Sequence, residues 1–279
     1  MTCADSSNSA AALGQGLLLA INGADERLQV VLGRLPQEAG ETGIELLASQ
    51  EWTVPGQAAR FLAPGIRHML DSLGLAARDI RRIACVHGPG SFTGLRMSLA
   101  LAEGLAEGLA PCEAEGKGAL LAGLDHLALL ALEAAEACAG AVLALAWSRR
   151  GQVYAQAFQG AAALTPPLVA QLTEMPNLLA TLPRPLSILG GGLRRNLAAF
   201  AALAATDPDL RLLPKEWDAP RPQTLLRLAE QAAYGPGPLT PVYLRASDAE
   251  DNLAAIAAGR GLSEAEAQSI LSRGSRTLS

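Results

Sequence analysis

The chain has 279 residues, of which half are hydrophobic and 4% aromatic, and its formal net charge is −5. This length suits two modest domains, and the shortage of aromatic residues favours aliphatic, helix-rich packing over a β-sandwich. No block of lysine or arginine supplies the basic face that a lone nucleic-acid-binding protein needs. The four scattered cysteines form no Cys-x-x-Cys pair, which argues against a disulfide framework or a zinc site.

Residues 1–16 are small and polar and lack the basic start of a signal peptide. We therefore expect a disordered lead-in and a cytoplasmic protein that does not enter membranes. Three strands are predicted next, at Leu17–Ile21, Arg27–Gly33 and Ile44–Val54, and they form a meander. A helix is predicted from Pro55 to Leu73. Its apolar face comprises Ala58, Leu62, Ile66, Met69 and Leu73, widened by Phe61 and Leu70.

The stretch from Ile83 to Ala110 organises the rest of the chain. It begins as a buried strand, turns through a loop rich in glycine, and becomes helical from Leu95. Ser91 or Thr93 can cap this helix by accepting a backbone N–H. The motif loop comprises His87, Gly88, Pro89, Gly90, Ser91, Phe92, Thr93, Gly94 and Arg96. The apolar seam of the helix comprises Leu95, Leu99, Ala102, Ala106 and Leu109.

A second row on this helix, Ala100, Gly104 and Gly108, recurs every four residues. Each interior glycine costs about 1 kcal/mol of helix propensity relative to alanine, and a backbone packed very close would offset that cost. Two alternatives remain open for the cover over this row. One is another subunit, and the other is the same chain.

The second half of the chain alternates helices and strands after a break at Gly116 and Gly118. The predicted elements are a helix at Leu120–Ala139, strands at Ala141–Trp147, Gln152–Gln159 and Ser187–Leu189, a linker at Pro166–Pro185 with a short helix at Asn177–Ala180, and helices at Leu193–Ala205 and Gln223–Ala233. We place an N-terminal lobe at 17–115, a C-terminal lobe at 116–238, and a segment at 239–279 that is expected to pack back on the first lobe.

The motif loop does not match the sequence motifs of common catalytic or nucleotide-binding sites. It has no lysine for a P-loop, and its glycines are spaced one residue away from the dinucleotide fingerprint. The serine hydrolase elbow needs glycines where Pro89 and Thr93 stand. The histidines His68, His87 and His126 have no paired ligand at helical spacing, so no catalytic residue and no metal site are predicted. An anion at the N-terminus of the helix remains an alternative.

Three consecutive glycines, Gly190, Gly191 and Gly192, join a predicted strand to a predicted helix. Two interpretations stay open for them. The glycines could allow close approach of a nucleotide, or they could accommodate a tight connection.

Three motifs in the same order resemble those of the TsaB (YeaZ) family, a glycoprotease-like family of tRNA threonylcarbamoyladenosine biosynthesis. They are His87–Arg96 followed by an alanine- and glycine-rich helix, Gly151–Tyr154, and Pro241–Arg245. The resemblance covers about Leu17 to Arg245. It implies an α/β fold with two ribonuclease-H-like lobes of the actin/Hsp70/sugar-kinase class.

The resemblance also implies a function. TsaB proteins are non-catalytic partners of TsaD in threonylcarbamoyl transfer to adenosine 37 of tRNAs that read ANN codons. TsaE joins as an ATPase, and TsaC makes the threonylcarbamoyl adenylate. We therefore expect no cofactor on this chain, ATP and metal on partner subunits, indirect contact with tRNA through the complex, and a homodimer when the chain is alone. The alternative is a glycoprotease-like hydrolase or a phosphotransferase that is active by itself.

The chain departs from the family where acidic and polar residues are usual. Asn22 stands where an aspartate ends the first strand, and Trp147 stands in place of another aspartate. Ala58-Ala59-Arg60 replaces a His-Ser-Glu run. These losses favour a scaffold, since a metal-centred transfer site needs charge to hold its cation. The predicted partner surface comprises Phe61, Leu62, Ile66, Met69, Leu95, Leu99, Ala100, Gly104 and Gly108.

Overall fold

A computed structural model describes residues 16–36, 43–109 and 118–245, together with Ala257 and Ser263. Residues 1–15 of the predicted lead-in, and nearly all of the tail after Arg245, lie outside the described residues. The described residues from Gly16 to Val242 belong to one compact unit.

The first sheet has five strands. They are β1 (Leu17–Asn22), β2 (Arg27–Arg34), β3 (Glu45–Thr53), β4 (Ile80–Gly88) and β5 (Leu120–Asp125). Their order is β3-β2-β1-β4-β5, in which β1 to β3 form an antiparallel meander and β4 and β5 run parallel to β1. This is the ribonuclease-H-like arrangement that the sequence predicts.

The second sheet repeats the pattern of the first. Its strands are β6 (Ala141–Arg149), β7 (Gln152–Gln159), β8 (Ala162–Ala163), β9 (Leu168–Gln171), β10 (Leu186–Leu189) and β11 (Leu210–Leu212). The order is β11-β10-β6-β7-β8, with β9 also beside β7. Because β7 is antiparallel to β6 while β10 and β11 are parallel to it, the two lobes share one topology, as the predicted fold class requires.

Helices cover both sheets. They are α1 (Ala58–Leu73), α2 (Phe92–Gly108), α3 (His126–Ala135), α4 (Met175–Ala180), α5 (Gly191–Arg195), α6 (Leu197–Ala204) and α7 (Pro222–Gln231). Helices α1 and α2 cover one face of the first sheet, and α3 and α7 cover the other. Helices α4 to α6 contribute to the core of the second sheet. Among the described residues, no helix is both long and apolar enough to cross a membrane.

Helix α7 returns from the second lobe to the first sheet, where Leu225, Leu226 and Ala229 are buried. A buried carboxylate on α3 anchors its start. Glu133 accepts hydrogen bonds from the backbone N–H of Arg221, at 3.2 Å, and from the hydroxyl of Thr224. The N-terminus of α7 is therefore capped by a neighbouring helix, which satisfies backbone donors that the helix itself leaves free.

The structure corrects several predicted elements. The predicted helix Leu120–Ala139 is a strand followed by a helix, and the strand pairs with β4. The first lobe therefore continues to Asp125, and its boundary is not at residue 116. The predicted linker Pro166–Pro185 contains the strand β9, while the short helix predicted in it at Asn177–Ala180 is confirmed as α4. The predicted helix Leu193–Ala205 is split at Asn196.

Candidate functional site

The motif loop packs backbone against backbone on the turn between β1 and β2. The N–H of Ser91 donates to the carbonyl of Ala24 at 2.7 Å. A Cβ on Gly90 would overlap the same carbonyl, and a Cβ on Gly94 would overlap the carbonyl of Gly23. Only glycine allows these approaches, so the motif glycines fix the loop at the carboxyl end of β1.

The hydroxyl of Ser91 caps α2 by accepting from the N–H of Gly94 at 3.3 Å. This is one of the two capping residues that the sequence proposes. His87, at the end of β4, has its Nδ1 3.1 Å from the carbonyl of Thr240, and its own carbonyl accepts from the N–H of Val242 at 2.8 Å. The motif loop and residues 240–242 are therefore bound together.

Asp125 is a neighbour of His87 that sequence reasoning missed. Its pKa is raised chiefly by burial, and the nearby His87 lowers it in part. Gly88 and Asp125 are partners in the pairing of β4 with β5. The carboxylate of Asp125 also caps α3 by accepting from the N–H of Leu127 at 3.1 Å. It was missed because this segment was predicted to be helical, which would have placed Asp125 away from the end of β4.

Helix α2 presents two different faces. Leu95, Leu99 and Ala102 are at most 4% exposed and belong to the core of the chain. Ala100, Gly104 and Gly108 are exposed on the other side. Among the described residues, no atom lies within 4 Å of the position that a Cβ on Gly104 or Gly108 would take. The row predicted from the four-residue spacing therefore faces outward in the single chain.

The surface that remains for a partner is narrower than the sequence indicated. Five of the nine predicted interface residues are buried in the chain's own core, because they face the first sheet. These are Leu62, Ile66, Met69, Leu95 and Leu99. Phe61 is half-buried against Trp52, with ring centroids 5.8 Å apart. Of the nine, the row Ala100, Gly104 and Gly108 is exposed. Met97, which was not predicted, lies on the same side of α2 and is 37% exposed.

Two grooves flank α2. One, of about 480 Å³, runs between α1 and α2 and is lined by Ile66, Leu70, Leu101 and Leu105. The other, of about 630 Å³, lies beside the exposed row and is closed on its far side by residues 118–121 and 236–238. Ala100 and Gly104 line this second groove, so the exposed row forms one of its walls and is open to the packing of another helix.

At the end of β1, Asn22 is fully engaged within the chain. Its side-chain oxygen accepts from the N–H of Ala24 at 3.2 Å, and its side-chain nitrogen donates to Gln29 at 2.9 Å. Gln29 in turn donates to Glu51 and to the carbonyl of Pro220, each at 2.8 Å. An aspartate could not donate to Gln29, so the amide at position 22 has a structural role.

The cleft between the lobes has a volume of about 260 Å³ and contains charges of both signs. The carboxyl group of Asp25 lies against Gly191, and burial raises its pKa to about 6. Arg194 forms two hydrogen bonds with Asp218, and Arg195 pairs with a carboxylate of the first lobe. Among the described residues, no group of three or more acidic, histidine or cysteine side chains is arranged to hold a metal ion.

The predicted glycine turn lies at the edge of this cleft. A Cβ on Gly190 would overlap the carbonyl of Leu145, and a Cβ on Gly191 would overlap the Asp25 carboxyl group. Gly190 also has a positive φ of 102°. These contacts account for Gly190 and Gly191 through the chain's own packing. Nucleotide contact at Gly190, Gly191 and Gly192 stays a prediction.

Comparison with known proteins supports the resemblance. Residues 45–175 match the sequence profile of a family described as TsaD, tRNA N6-adenosine threonylcarbamoyltransferase. A solved Pseudomonas aeruginosa protein, described as uncharacterised with similarity to the peptidase YeaZ, has a TM-score of 0.59 and 24% identity, covering 83% of this chain and 100% of its own. YeaZ from Pseudomonas aeruginosa has a TM-score of 0.55 and 22% identity, covering 82% and 100%. No curated protein sequence matches the chain.

Proposed function

We propose that this YeaZ-like chain is the non-catalytic partner of a TsaD-type subunit in threonylcarbamoyl transfer to adenosine 37 of tRNAs that read ANN codons. The match to the TsaD profile and the fold shared with YeaZ support involvement in tRNA threonylcarbamoyl modification. The role as a partner subunit rests on one observation, the exposed row Ala100, Gly104 and Gly108 on α2.

The glycine inside this row lowers the helix propensity of α2, and no described contact within the chain compensates for that loss. Gly104 lies inside α2, where a glycine costs about 1 kcal/mol relative to alanine, whereas Gly108 is the last residue of the helix. Among the described residues, nothing lies within 4 Å of the Cβ positions of Gly104 or Gly108, so no intrachain contact with these positions offsets that cost. A partner helix that packs close to the backbone of α2 would offset it. From Met97 to Gly108 the strip is about 16 Å long at 1.5 Å per residue, enough for about three turns of a partner helix.

We assign this surface to a helix pair of the TsaD-type subunit. Helices α1 and α2 lie side by side, so an equivalent pair from the partner gives a four-helix contact. When the TsaD-type subunit is absent, a second copy of this chain takes its place, because burying an exposed apolar strip against another molecule is favourable. The ATP, the metal and the TsaE-like ATPase belong to the partner side of the complex, and tRNA is reached indirectly.

Two positions at which the family usually has an aspartate support the non-catalytic role. The side-chain amide of Asn22 hydrogen-bonds to Ala24 and Gln29, and the ring of Trp147 lies 5.2 Å from the guanidinium of Arg195. Both side chains are committed to contacts within the chain. Neither brings a negative charge to the cleft.

Reconstitution tests the proposal. Purified TsaD, TsaE and TsaC are incubated with an ANN-decoding tRNA, threonine, bicarbonate and ATP, with and without this chain, and the modified nucleoside is measured by mass spectrometry. We expect modification only when the chain is present. Equal modification without it would contradict the proposal. Hydrolysis of ATP or of a glycosylated peptide by the chain alone, lost in a motif-loop variant, would instead support the hydrolase or phosphotransferase alternative.

A further inference from the structure

The cleft between the lobes is bridged by side chains of the protein itself. Arg195, at the end of α5 in the second lobe, pairs with Glu26 in the β1–β2 turn of the first lobe. The same guanidinium lies over the ring of Trp147, 5.2 Å from its centroid. Arg195 is therefore held from its own lobe by an aromatic face and from the other lobe by a carboxylate.

Beside this ion pair, a side chain of the first lobe lies against the backbone of the second. The carboxyl group of Asp25 in the first lobe lies where a Cβ on Gly191 of the second lobe would stand. Its Oδ2 is buried and has no hydrogen-bond partner among the described residues. Such an approach leaves no space for a side chain at position 191, so the glycine permits the lobes to meet here.

A second set of contacts holds the segment 213–221, which connects the second sheet to α7. Arg194 of the second lobe donates to the carbonyl of Leu213 at 2.9 Å and to Asp218 at 2.7 Å. From the first lobe, Arg27 donates to the carbonyl of Lys215 at 3.4 Å and Gln29 donates to the carbonyl of Pro220 at 2.8 Å. This crossing segment is thus bound by both lobes.

These contacts differ in strength and in which parts of the two lobes they join. The ion pair of Arg195 and Glu26 is weak by itself, because both side chains are about half exposed. The Gln29 bond is buried, and breaking it would leave the Pro220 carbonyl without a donor. Opening the cleft would separate Arg195 from Glu26 and Arg27 from the Lys215 carbonyl. Pro220 precedes α7, which packs on the first sheet, so the Gln29 bond instead holds the crossing segment to the first lobe.

We propose that Arg195, Glu26 and Arg27 form a clasp that holds the two lobes closed without a bound ligand. The proposal goes beyond the function proposed above and does not depend on it. A domain pair of this kind can be closed by a ligand in the cleft or by its own side chains, and the contacts favour the second.

The distance between the lobes tests the clasp. Non-cysteine spin labels are introduced at His68 on α1 and Ala201 on α6, both exposed, and the distance distribution is measured by pulsed electron resonance. Arg195→Glu places a third carboxylate beside Glu26 and Asp25, and we expect a shift to longer distances. The charge-swapped variant Glu26→Arg/Arg195→Glu restores the ion pair and should restore the distance.

The matched control is Arg150→Glu, which makes the same change of charge at an exposed arginine of the second lobe and should leave the distance unchanged. Circular dichroism checks that each variant is folded, and Arg195→Gln replaces any variant that is not. Adding ATP and Mg²⁺ to the wild type should not shorten the distance. The proposal fails if ATP shortens it, if Arg195→Glu matches the wild type, or if the charge-swapped variant stays as open as Arg195→Glu.

Discussion

Replacing Gly104 by leucine should raise the stability of the single chain and weaken its binding to a partner. The Cβ position of Gly104 is open, because no described atom outside its own helical backbone lies within 4 Å of it. Leucine is a better helix former than glycine by about 0.8 kcal/mol, which should raise the melting temperature by about 2 °C. In the assembled state the same side chain lies where a partner helix approaches, and overpacking costs about 1–3 kcal/mol. That cost corresponds to about a 5- to 150-fold rise in Kd.

Calorimetric titration with the TsaD-type subunit gives the Kd, and thermal unfolding of the chain alone gives its stability. Sedimentation velocity follows the homodimer in parallel. Ala198→Leu, at an exposed position on α6 of the second lobe, is the matched control and should bind as the wild type does. If Gly104→Leu binds as tightly as Ala198→Leu, the surface is wrongly assigned. A Gly104→Leu chain that is less stable than the wild type would contradict the open geometry.

Three further predictions concern the architecture that supports the surface. Gly94→Ala should cost about 1–3 kcal/mol, because its Cβ overlaps the Gly23 backbone, while Gly104→Ala should stabilise the chain by about 1 kcal/mol; chemical denaturation measures both. Glu133→Ala should lower the free energy of unfolding by about 2–3 kcal/mol, since the Thr224 hydroxyl and the N-terminus of α7 lose their acceptor, and a result within error of the wild type would refute this. Burial lowers the pKa of His126 to about 4. Below pH 6.5 this histidine therefore binds a proton in the unfolded chain but not in the folded chain. Stability should therefore fall by about 3 kcal/mol between pH 6.5 and pH 4, and His126→Leu should remove that component from a pH series of denaturation curves.

Much of the fold follows from hydrophobic periodicity. The strands of the meander and the pair at Ala141–Arg149 and Gln152–Gln159 are marked by short apolar runs between turns. The prediction of a helix from Leu120 was wrong because an alanine- and leucine-rich run suits a buried strand as well as a helix. Its pairing with β4 depends on contacts that the local sequence does not encode.

The two faces of α2 were predictable because helical spacing fixes which residues lie together. Spacing does not tell which face meets the chain's own sheet, and so core residues such as Leu62 and Leu99 were included in the predicted surface. The cleft was the least predictable part. Its contacts join residues 25–29 to residues 191–220, and no local pattern in a single sequence marks a pairing over that separation.

Oxidation of Met97 tests the central claim most directly. This methionine is 37% exposed and lies on the same face of α2 as Gly104, whereas Met69 and Met175 are at most 3% exposed and serve as internal controls. The rate at which hydrogen peroxide converts each methionine to its sulfoxide is measured by mass spectrometry, with and without the TsaD-type subunit. The account predicts that binding slows oxidation of Met97 and leaves the two buried methionines slow in both states. A stable complex in which Met97 oxidises as fast as in the free chain would contradict it.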